Sequence, residues 1–346
     1  MKKKILPLAI ATAMAPGFAT AADVSGFADI IYTIADDQPA GSTSPSTTEG
    51  KFTAEGEIDF SASPAEGVTV RLDVDLSINA NDNTGLDGES GSIEQAFFAW
   101  NATEGVTVLG GVFNNPIGLE AEDAPDMWGT NHGVVYNILD NQTALDGDNV
   151  AGLAVAGAVG PATVTLAYIN ETAQTNEENS IALVVNATPI EGLDLELGFV
   201  SQSDQATRDA TTGDANGTDA HTVVGLGAGE SAGDVTNFNV SYVIPGVEGL
   251  SVALDYLVAD KIVDSAYELM IDYSYDKFGV GVRLEEIGYQ DPVSTWQDTE
   301  RTTFHFSYEV ASNLVAILEV ADGDDKNPQF GVEADSLTTL ELIATF

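Results

Sequence analysis

Apolar and polar residues alternate along most of this chain, in segments of about ten residues. The clearest segment is 68–80, where Val70 and Leu72 belong to one set of alternate positions and Arg71 and Asp73 to the other. Successive side chains of a β-strand point to opposite faces of the sheet. The pattern therefore predicts a strand with one apolar face and one charged face.

The repetition of this pattern favours a barrel over an ordinary soluble sheet. Each alternating segment is close to the length that crosses a bilayer at a tilt. The predicted strands are residues 24–34, 51–62, 68–80, 92–101, 106–113, 150–158, 162–170, 180–187, 193–203, 235–244, 250–259, 266–275, 278–286, 301–310, 314–321 and 337–346. Tight turns alternate with long loops between them. We therefore predict an all-β fold: a transmembrane antiparallel up-and-down β-barrel of about 16 strands.

Four of the tight turns share a local repeat, which reads PAEGVTV, ATEGVTV, PIEGLDL and GVEGLSV. Glycine supplies the backbone freedom that a hairpin turn needs, and the next strand begins directly after it. We interpret the repeat as structural and assign it no chemistry.

The longest irregular segment, residues 114–147, follows the fifth predicted strand. A long irregular loop in a compact protein is either functional or a sign of a wrong assignment. We interpret it as functional and expect it to fold inward and narrow a pore. Its candidate constriction residues are Glu120, Glu122, Asp123 and Asp126.

The beginning of the chain has the layout of a secretory signal. Three lysines at positions 2–4 precede an apolar run, and small residues follow at Ala19 and Ala21. The alternative, a membrane-spanning helix, is disfavoured by Pro16, by Gly17 and by the shortness of the run. We expect residues 1–21 to be cleaved and residues 22–346 to form one barrel in the outer membrane.

Composition excludes several classes of function. The chain has no cysteine, so disulfides and thiolate chemistry are impossible. Its formal net charge of −44 repels nucleic acid and attracts cations. Intrinsic disorder is the usual reading of such a charge, but 44% hydrophobic residues in regular alternation argue against it.

The polar faces of the predicted strands are mostly acidic and, in a barrel, would line a wet interior. Their carboxylates are Asp29, Glu55, Glu57, Asp59, Asp73, Asp75, Asp194, Glu196, Asp255, Glu268, Asp272, Glu285, Glu319 and Glu341. The basic residues on the same faces are Arg71 and Arg283, with Lys51 and Arg301 nearer the rims. We predict that the pore wall includes Arg71, Asp73, Asp75, Glu55, Glu57, Arg283 and Glu285. Such a wall favours cations.

The last predicted strand, LTTLELIATF, ends in Phe346 and resembles the membrane-insertion signal of bacterial outer-membrane proteins. Over its whole length the chain resembles Gram-negative outer-membrane porins, in which the loop after strand five narrows the pore. The run GGVFNNPIGLEAEDAPDMW, residues 110–128, resembles the OmpL-like β-barrel porin family. Porins also set several basic wall residues against acidic loop residues, whereas Arg71 is the clear basic candidate among the early strands here.

The resemblance implies a set of partners. It implies outer-membrane lipid and lipopolysaccharide around the barrel, and a barrel-assembly machinery that recognises the last strand. It also implies a homotrimer and small hydrophilic or cationic solutes. The predicted function is a diffusion porin with cation preference. The alternative is a surface barrel that acts in adhesion or envelope structure.

Other candidate sites are less specific. Two acidic loops offer calcium-like ligands without the EF-hand spacing, so no cofactor is expected beyond a possible Ca²⁺ there. Their residues are Asn79, Asn81, Asn83 and Asp87 in the first loop and Asp322, Asp324 and Asp325 in the second. His305 and Ser307 share a face, which invites comparison with outer-membrane barrel phospholipases. Those enzymes place the catalytic pair outside a smaller barrel, so we predict that this protein is not an enzyme.

Overall fold

The fold is a closed barrel of antiparallel strands. The computed structural model describes residues 22–35, 51–78, 89–140, 148–170, 179–201, 233–260, 263–289, 298–323 and 336–346. Within these ranges sixteen strands pair in chain order, and the first pairs with the last. The strands are β1 (Asp23–Ala35), β2 (Lys51–Ala65), β3 (Val68–Ile78), β4 (Glu89–Thr103), β5 (Val106–Asn114), β6 (Asn149–Val159), β7 (Ala162–Ile169), β8 (Ser180–Ile190), β9 (Leu193–Val200), β10 (Val235–Val243), β11 (Leu250–Ala259), β12 (Val263–Tyr275), β13 (Phe278–Tyr289), β14 (Thr299–Ala311), β15 (Leu314–Gly323) and β16 (Ser336–Thr345). The predicted fold class is confirmed.

The two faces of the sheet differ in exposure. On β3, Val70 and Leu76 are exposed, whereas Asp73 is completely buried. On β2, Phe60 is exposed and Glu57 is 3% exposed. The exposed face of a closed barrel is its outside, so the apolar side chains point outward and the charged ones inward. This is the register that the alternation predicts.

The repeated turns owe their shape to glycine. Gly67, Gly105, Gly192 and Gly249 all have positive φ, between 70° and 84°, where a side chain would be strained. Bulges at three of these turns extend the preceding strands beyond their predicted ends, to Ala65, Thr103 and Ile190. A bulge inserts an unpaired residue without ending the strand, and alternation alone does not reveal it.

The barrel closes between β1 and β16, which pair from Phe27 opposite Thr345 to Ala35 opposite Leu337. The Phe346 N–H donates to the Gly26 carbonyl oxygen at 3.0 Å. The predicted insertion signal therefore lies at the seam of the barrel. Its role in insertion stays a prediction.

The segment predicted to be irregular contains one short helix, α1 (Val134–Asp140). Its sequence VVYNILD buries five of seven side chains, so tertiary packing supports a helix too short for an obvious sequence period. No helix among the described residues is long and apolar enough to cross a membrane.

Several predicted features lie outside the described residues. They are the signal at 1–21, residues 141–147 of the long loop, and the calcium-like residues Asn79, Asn81, Asn83, Asp87, Asp324 and Asp325.

Candidate functional site

The inner face of the barrel carries the predicted wall residues. Most of its carboxylates are at most 6% exposed: Asp29, Glu57, Asp73, Glu196, Asp255, Glu268, Glu285, Glu319 and Glu341. On β1–β3 the face is mixed: Asp29, Glu57 and Asp73 are among the buried carboxylates, whereas Glu55 is exposed and Asp59, Arg71 and Asp75 are half-buried. The wall therefore has a covered part and an accessible part.

Residues 115–140, which we call the β5–β6 segment, contact the covered part through backbone N–H groups. The Leu119 N–H donates to Asp255 at 2.9 Å, and the Thr130 N–H donates to Glu319 at 2.8 Å. At the start of α1, the Val134 N–H donates to Glu285 at 3.0 Å and the next N–H donates to Glu268. Amides in the first turn of a helix have no partner within the helix, so wall carboxylates satisfy them here.

Arg283 joins the segment to the wall. Its guanidinium is completely buried and lies 3.1 Å from Glu120 of the segment and 3.2 Å from Glu285 of its own strand. It also donates to the Asn131 carbonyl oxygen at 2.9 Å. Arg301 also pairs with Glu285, with 2.8 Å between its Nε and the carboxylate. Buried charges persist in proteins when they are paired and hydrogen-bonded in this way.

Glu120 shows the electrostatic effect of this pairing. Burial by itself raises the pKa of its carboxyl group. The charge of Arg283, the nearby His132 and the Gly133 N–H together outweigh burial and lower the pKa to about 2. Glu120 is therefore ionised at neutral pH and belongs to the attachment of the segment.

An apolar cluster anchors α1 beside these polar contacts. Val135 and Ile138 are completely buried and belong to one apolar cluster with inner-face residues such as Ala182, Leu257 and Ile287. Strands β6–β8 place small apolar residues on their inner faces as well as aliphatic residues outside. Their sequences are therefore apolar on both faces, and this departure from alternation is the signal that could have located the cluster.

Trp128 contacts the wall nearer the tight turns. Its indole Nε1–H donates to Asp272 at 2.6 Å, and its ring lies 4.3 Å from the ring of His305. Arg283 stacks over it at 5.1 Å. A cavity of about 340 Å³ opens beside them and is also lined by Ser307. Sequence reasoning missed the part played by Trp128.

On the other side of the barrel the segment meets the wall with its own carboxylates. Glu122 and Asp123 lie against Glu57, Asp75 and Glu94 of β2, β3 and β4. We call these five residues the acidic cluster. It contains two of the four predicted constriction residues and two of the predicted wall residues.

The environment of the acidic cluster changes the titration of its loop residues. Burial and the charge of Glu94 raise the pKa of Asp123, against a lowering by Arg71, to about 6. Burial and contact with Glu94 raise the pKa of Glu122 well above its ordinary value. For Glu120 the charge of Arg283 helps to outweigh the effect of burial on the pKa. For Glu122 and Asp123 the effect of burial prevails.

Seven of the eleven predicted constriction and wall residues thus fall into two groups. Glu120, Arg283 and Glu285 meet at the covered wall, whereas Glu122, Asp123, Glu57 and Asp75 meet in the acidic cluster. The Asp126 N–H donates to the Asp123 carbonyl oxygen at 2.8 Å, which closes a turn between them. Asn149 is a contact that sequence reasoning missed, and its side chain donates to both Glu94 and Glu122 at 3.2 Å.

Solved structures share this arrangement of strands. A mutant of the Rh. blastica porin has a TM-score of 0.58 to this chain, with 13% sequence identity over 94% of this chain and 100% of the other. A triple mutant of the Rhodopseudomonas blastica porin gives the same values, and a further mutant has a TM-score of 0.59. The chain has the porin fold. At this level of identity the likeness concerns the fold alone.

No protein-family model matches this porin-fold chain. No match was found among curated proteins either. The closer resemblance of residues 110–128 to the OmpL-like porins therefore stays a prediction.

Proposed function

We propose that this protein is a diffusion porin of the bacterial outer membrane that passes small hydrophilic solutes and prefers cations. The observation that carries the proposal is a closed sixteen-strand barrel whose inner face has far more carboxylates than basic side chains. A barrel of about sixteen strands is wide enough for an aqueous channel, and carboxylates lining a confined channel concentrate cations.

In this proposal the β5–β6 segment narrows the pore. Its hydrogen bonds to Asp255, Glu285 and Glu319 support this role, because they hold it against the inner face of β11–β15. The solute path would then run along β1–β3, where Glu55 and Asp59 remain accessible. Glu122 and Asp123 would act on passing ions, whereas Glu120 would act through its pairing with Arg283.

The outer surface is consistent with a lipid environment. Large apolar side chains are exposed around the barrel, and the aromatic residues Trp100, Tyr256 and Tyr308 are among them. Aromatic side chains are enriched where a membrane meets water. Lipopolysaccharide contacts, assembly by the barrel machinery and a homotrimer belong to the same proposal. We assign no catalytic role to His305 or Ser307, since the porin fold is a channel scaffold.

A planar bilayer measurement tests the proposal directly. The folded full-length protein should produce stepwise conductance in KCl, and its reversal potential in a KCl gradient should show cation preference. Salt screens charges over roughly 10 Å at 0.1 M and roughly 3 Å at 1 M, so the preference should weaken as the salt concentration rises. Anion preference would contradict the selectivity. A folded barrel with no conductance would contradict the porin function and favour a surface barrel in adhesion or envelope structure.

A further inference from the structure

The inner wall of the barrel has a trough along β13, near the tight turns. Its floor is formed by Gly279 and Gly281, which alternate with the exposed residues Phe278 and Val280 and therefore face inward. A side chain at either glycine would overlap groups of the flanking strands. The trough therefore exists because two neighbouring inward positions of β13 carry no side chain.

Polar side chains of β12 and β14 form the two sides of the trough. One side carries Asp272 and Ser274, and the other carries His305 and Ser307. The strand register places Asp272 and His305 on either side of one floor glycine, and the two serines on either side of the other. Neighbouring strands are about 4.8 Å apart, so the two sides face each other across roughly 10 Å.

The β5–β6 segment covers the trough and turns it into a cavity. Met127 and Trp128 of the segment contribute to the lining, and the cavity has a volume of about 340 Å³. Asp276 and Lys277, between β12 and β13, also line it, so it reaches the tight-turn end of the barrel. Binding pockets for small molecules commonly have volumes of about 300–1,000 Å³. This cavity therefore has room for one small solute.

His305 has a ring nitrogen with unused hydrogen-bonding capacity. Oδ2 of Asp272 accepts from the indole of Trp128 at 2.6 Å, and its Oδ1 lies 3.3 Å from Nε2 of His305. Among the described residues, the other ring nitrogen of His305, Nδ1, has no hydrogen-bond partner, although the residue is only 7% exposed. A buried polar atom without a partner is costly, so a hydrogen-bonding group of a ligand would stabilise it.

The charged groups around the cavity already have partners or face solvent. Lys277 and Glu309 lie 4.0 Å from each other, Asp272 is held by Trp128, and Asp276 is exposed in the turn. Hydroxyl groups can each donate and accept a hydrogen bond. The serines of the lining are Ser251, Ser274 and Ser307. Their hydroxyls match a solute whose own polar groups are hydroxyls and not ions.

We infer that this cavity is a binding site for a polyhydroxylated solute of the size of a monosaccharide. The serine hydroxyls and Nδ1 of His305 would bind its hydroxyl groups, and Met127 and Trp128 would cover its apolar surface. Such a site would favour one class among the solutes that the proposed pore passes, and in that respect the inference rests on the proposed function. Binding itself can be measured without conduction.

Fluorescence titration of the full-length protein, folded in detergent, tests for this site. Trp128 serves as the reporter in a variant whose other tryptophans are replaced by Trp100→Phe and Trp296→Phe. D-glucose, D-galactose and D-mannose are titrated separately, and choline chloride is titrated as a small organic cation. At least one sugar should change the emission saturably, with a Kd on the order of 1 mM, as ordinary ligand efficiency gives for about a dozen non-hydrogen atoms.

Substitution of one serine should weaken this binding. Ser307→Ala removes a hydroxyl from one side of the trough and should raise the Kd about three- to tenfold, as expected for the loss of one hydrogen bond. The matched control is Ser61→Ala, which removes a hydroxyl from the half-buried inner face of β2, outside the lining of the cavity. Its Kd should be unchanged. Should Ser307→Ala fail to fold, Ser274→Ala removes the hydroxyl on the other side of the trough and must show the same loss.

Three results would overturn the inference. One is the absence of a saturable change with any of the sugars up to about a hundred times the expected Kd. Another is saturation by choline and not by the sugars, and the third is an equal Kd for the Ser307→Ala and Ser61→Ala variants. Sugar binding without conductance would contradict the porin function while leaving this site intact. Conductance without sugar binding would overturn the site alone.

Discussion

The two sides of the barrel hold the β5–β6 segment by opposite chemistry. Along β11–β15 the wall offers carboxylates and the segment offers N–H groups, as in the pair Thr130 and Glu319. Along β2–β4 both partners offer carboxylates, as in Glu94 and Glu122. The first side is complementary by itself, whereas the second needs a proton or a cation. One side can therefore act as a permanent attachment while the other responds to the medium.

Removal of Arg283 should have the largest effect, because it breaks the complementary side. Arg283→Met leaves Glu120 and Glu268 buried without their central base, while Glu285 keeps only its pairing with Arg301. Loss of one partner of a buried ion pair costs about 3–5 kcal/mol. Urea unfolding of the barrel in detergent measures the change. The control Lys277→Met removes an exposed pair with Glu309 and should cost about 0–1 kcal/mol. Equal losses of unfolding free energy in the two variants would show that the buried network stabilises the barrel no more than an exposed ion pair does.

A steric substitution tests the same side at its closest approach. A side chain on Gly133 would overlap the carboxylate of Glu268, and overpacking of this kind costs about 1–3 kcal/mol. Gly133→Ala should therefore loosen the segment and increase proteolytic cleavage within residues 115–140. Gly157→Ala is the control, since a side chain there meets open space. Unchanged protease resistance of Gly133→Ala would contradict the close contact.

The two sides should respond to pH in opposite directions. The pKa of Glu120 is lowered to about 2, so its contribution is complete above its ordinary value near 4.5 and is lost as the pH falls through 2. The pKa of Asp123 is raised to about 6, so its contribution is complete below about 4 and is lost as the pH rises through 6. We expect the loss of stability from Asp123 to be on the order of 1 kcal/mol after solvent screening.

The effect of Asp123 ionisation can be followed by current noise in a planar bilayer, recorded with EDTA present. Noise from segment motion should increase between pH 4.5 and pH 7.5, and Asp123→Asn should remove much of that increase. The same noise at both pH values would contradict the assignment of a destabilising charge to the acidic cluster.

The smallest expected effect is on cation selectivity. It compares a residue from the accessible part of the wall with one from the covered part. Glu55 is exposed and Glu196 is buried between two asparagines. A charge about 7 Å from an ion in water contributes about 0.6 kcal/mol, or up to about threefold in local cation concentration before screening. Glu55→Gln should therefore lower the cation preference in a dilute KCl gradient, whereas Glu196→Gln should change it less. The reverse order would place the solute path elsewhere.

The barrel could be predicted from sequence because the alternation along each strand reports directly on the two faces of the sheet, an apolar exterior and a polar interior. The segment 114–147 could be located by its lack of alternation, and its carboxylates could be named. The contacts of those carboxylates could not be predicted. Arg283 lies 163 residues beyond Glu120, and nothing local in either stretch indicates that they pair.

A bulge in β4, where its pairing with β3 shifts between Leu72 and Val74, marks a second limit of sequence-based prediction. The predicted strand at 92–101 covers Glu94 without assigning it to the inner face, because two adjacent inward side chains violate the period of two. Glu94 was therefore absent from the predicted wall, although it lies at the centre of the acidic cluster. Asn149 was missed for a related reason, since its position at the start of β6 gives no sign of which carboxylates it reaches.

The seam between β1 and β16 has a consequence for the time course of folding. Every other pair of neighbouring strands is close in sequence, but this pair joins Phe27 to Thr345. The entropy of closing so long a loop must be overcome before its hydrogen bonds can form, and such long-range contacts slow folding. We expect the hairpins to pair early and the seam to form last. Until then, β1 and β16 are both open edges that can pair with another polypeptide.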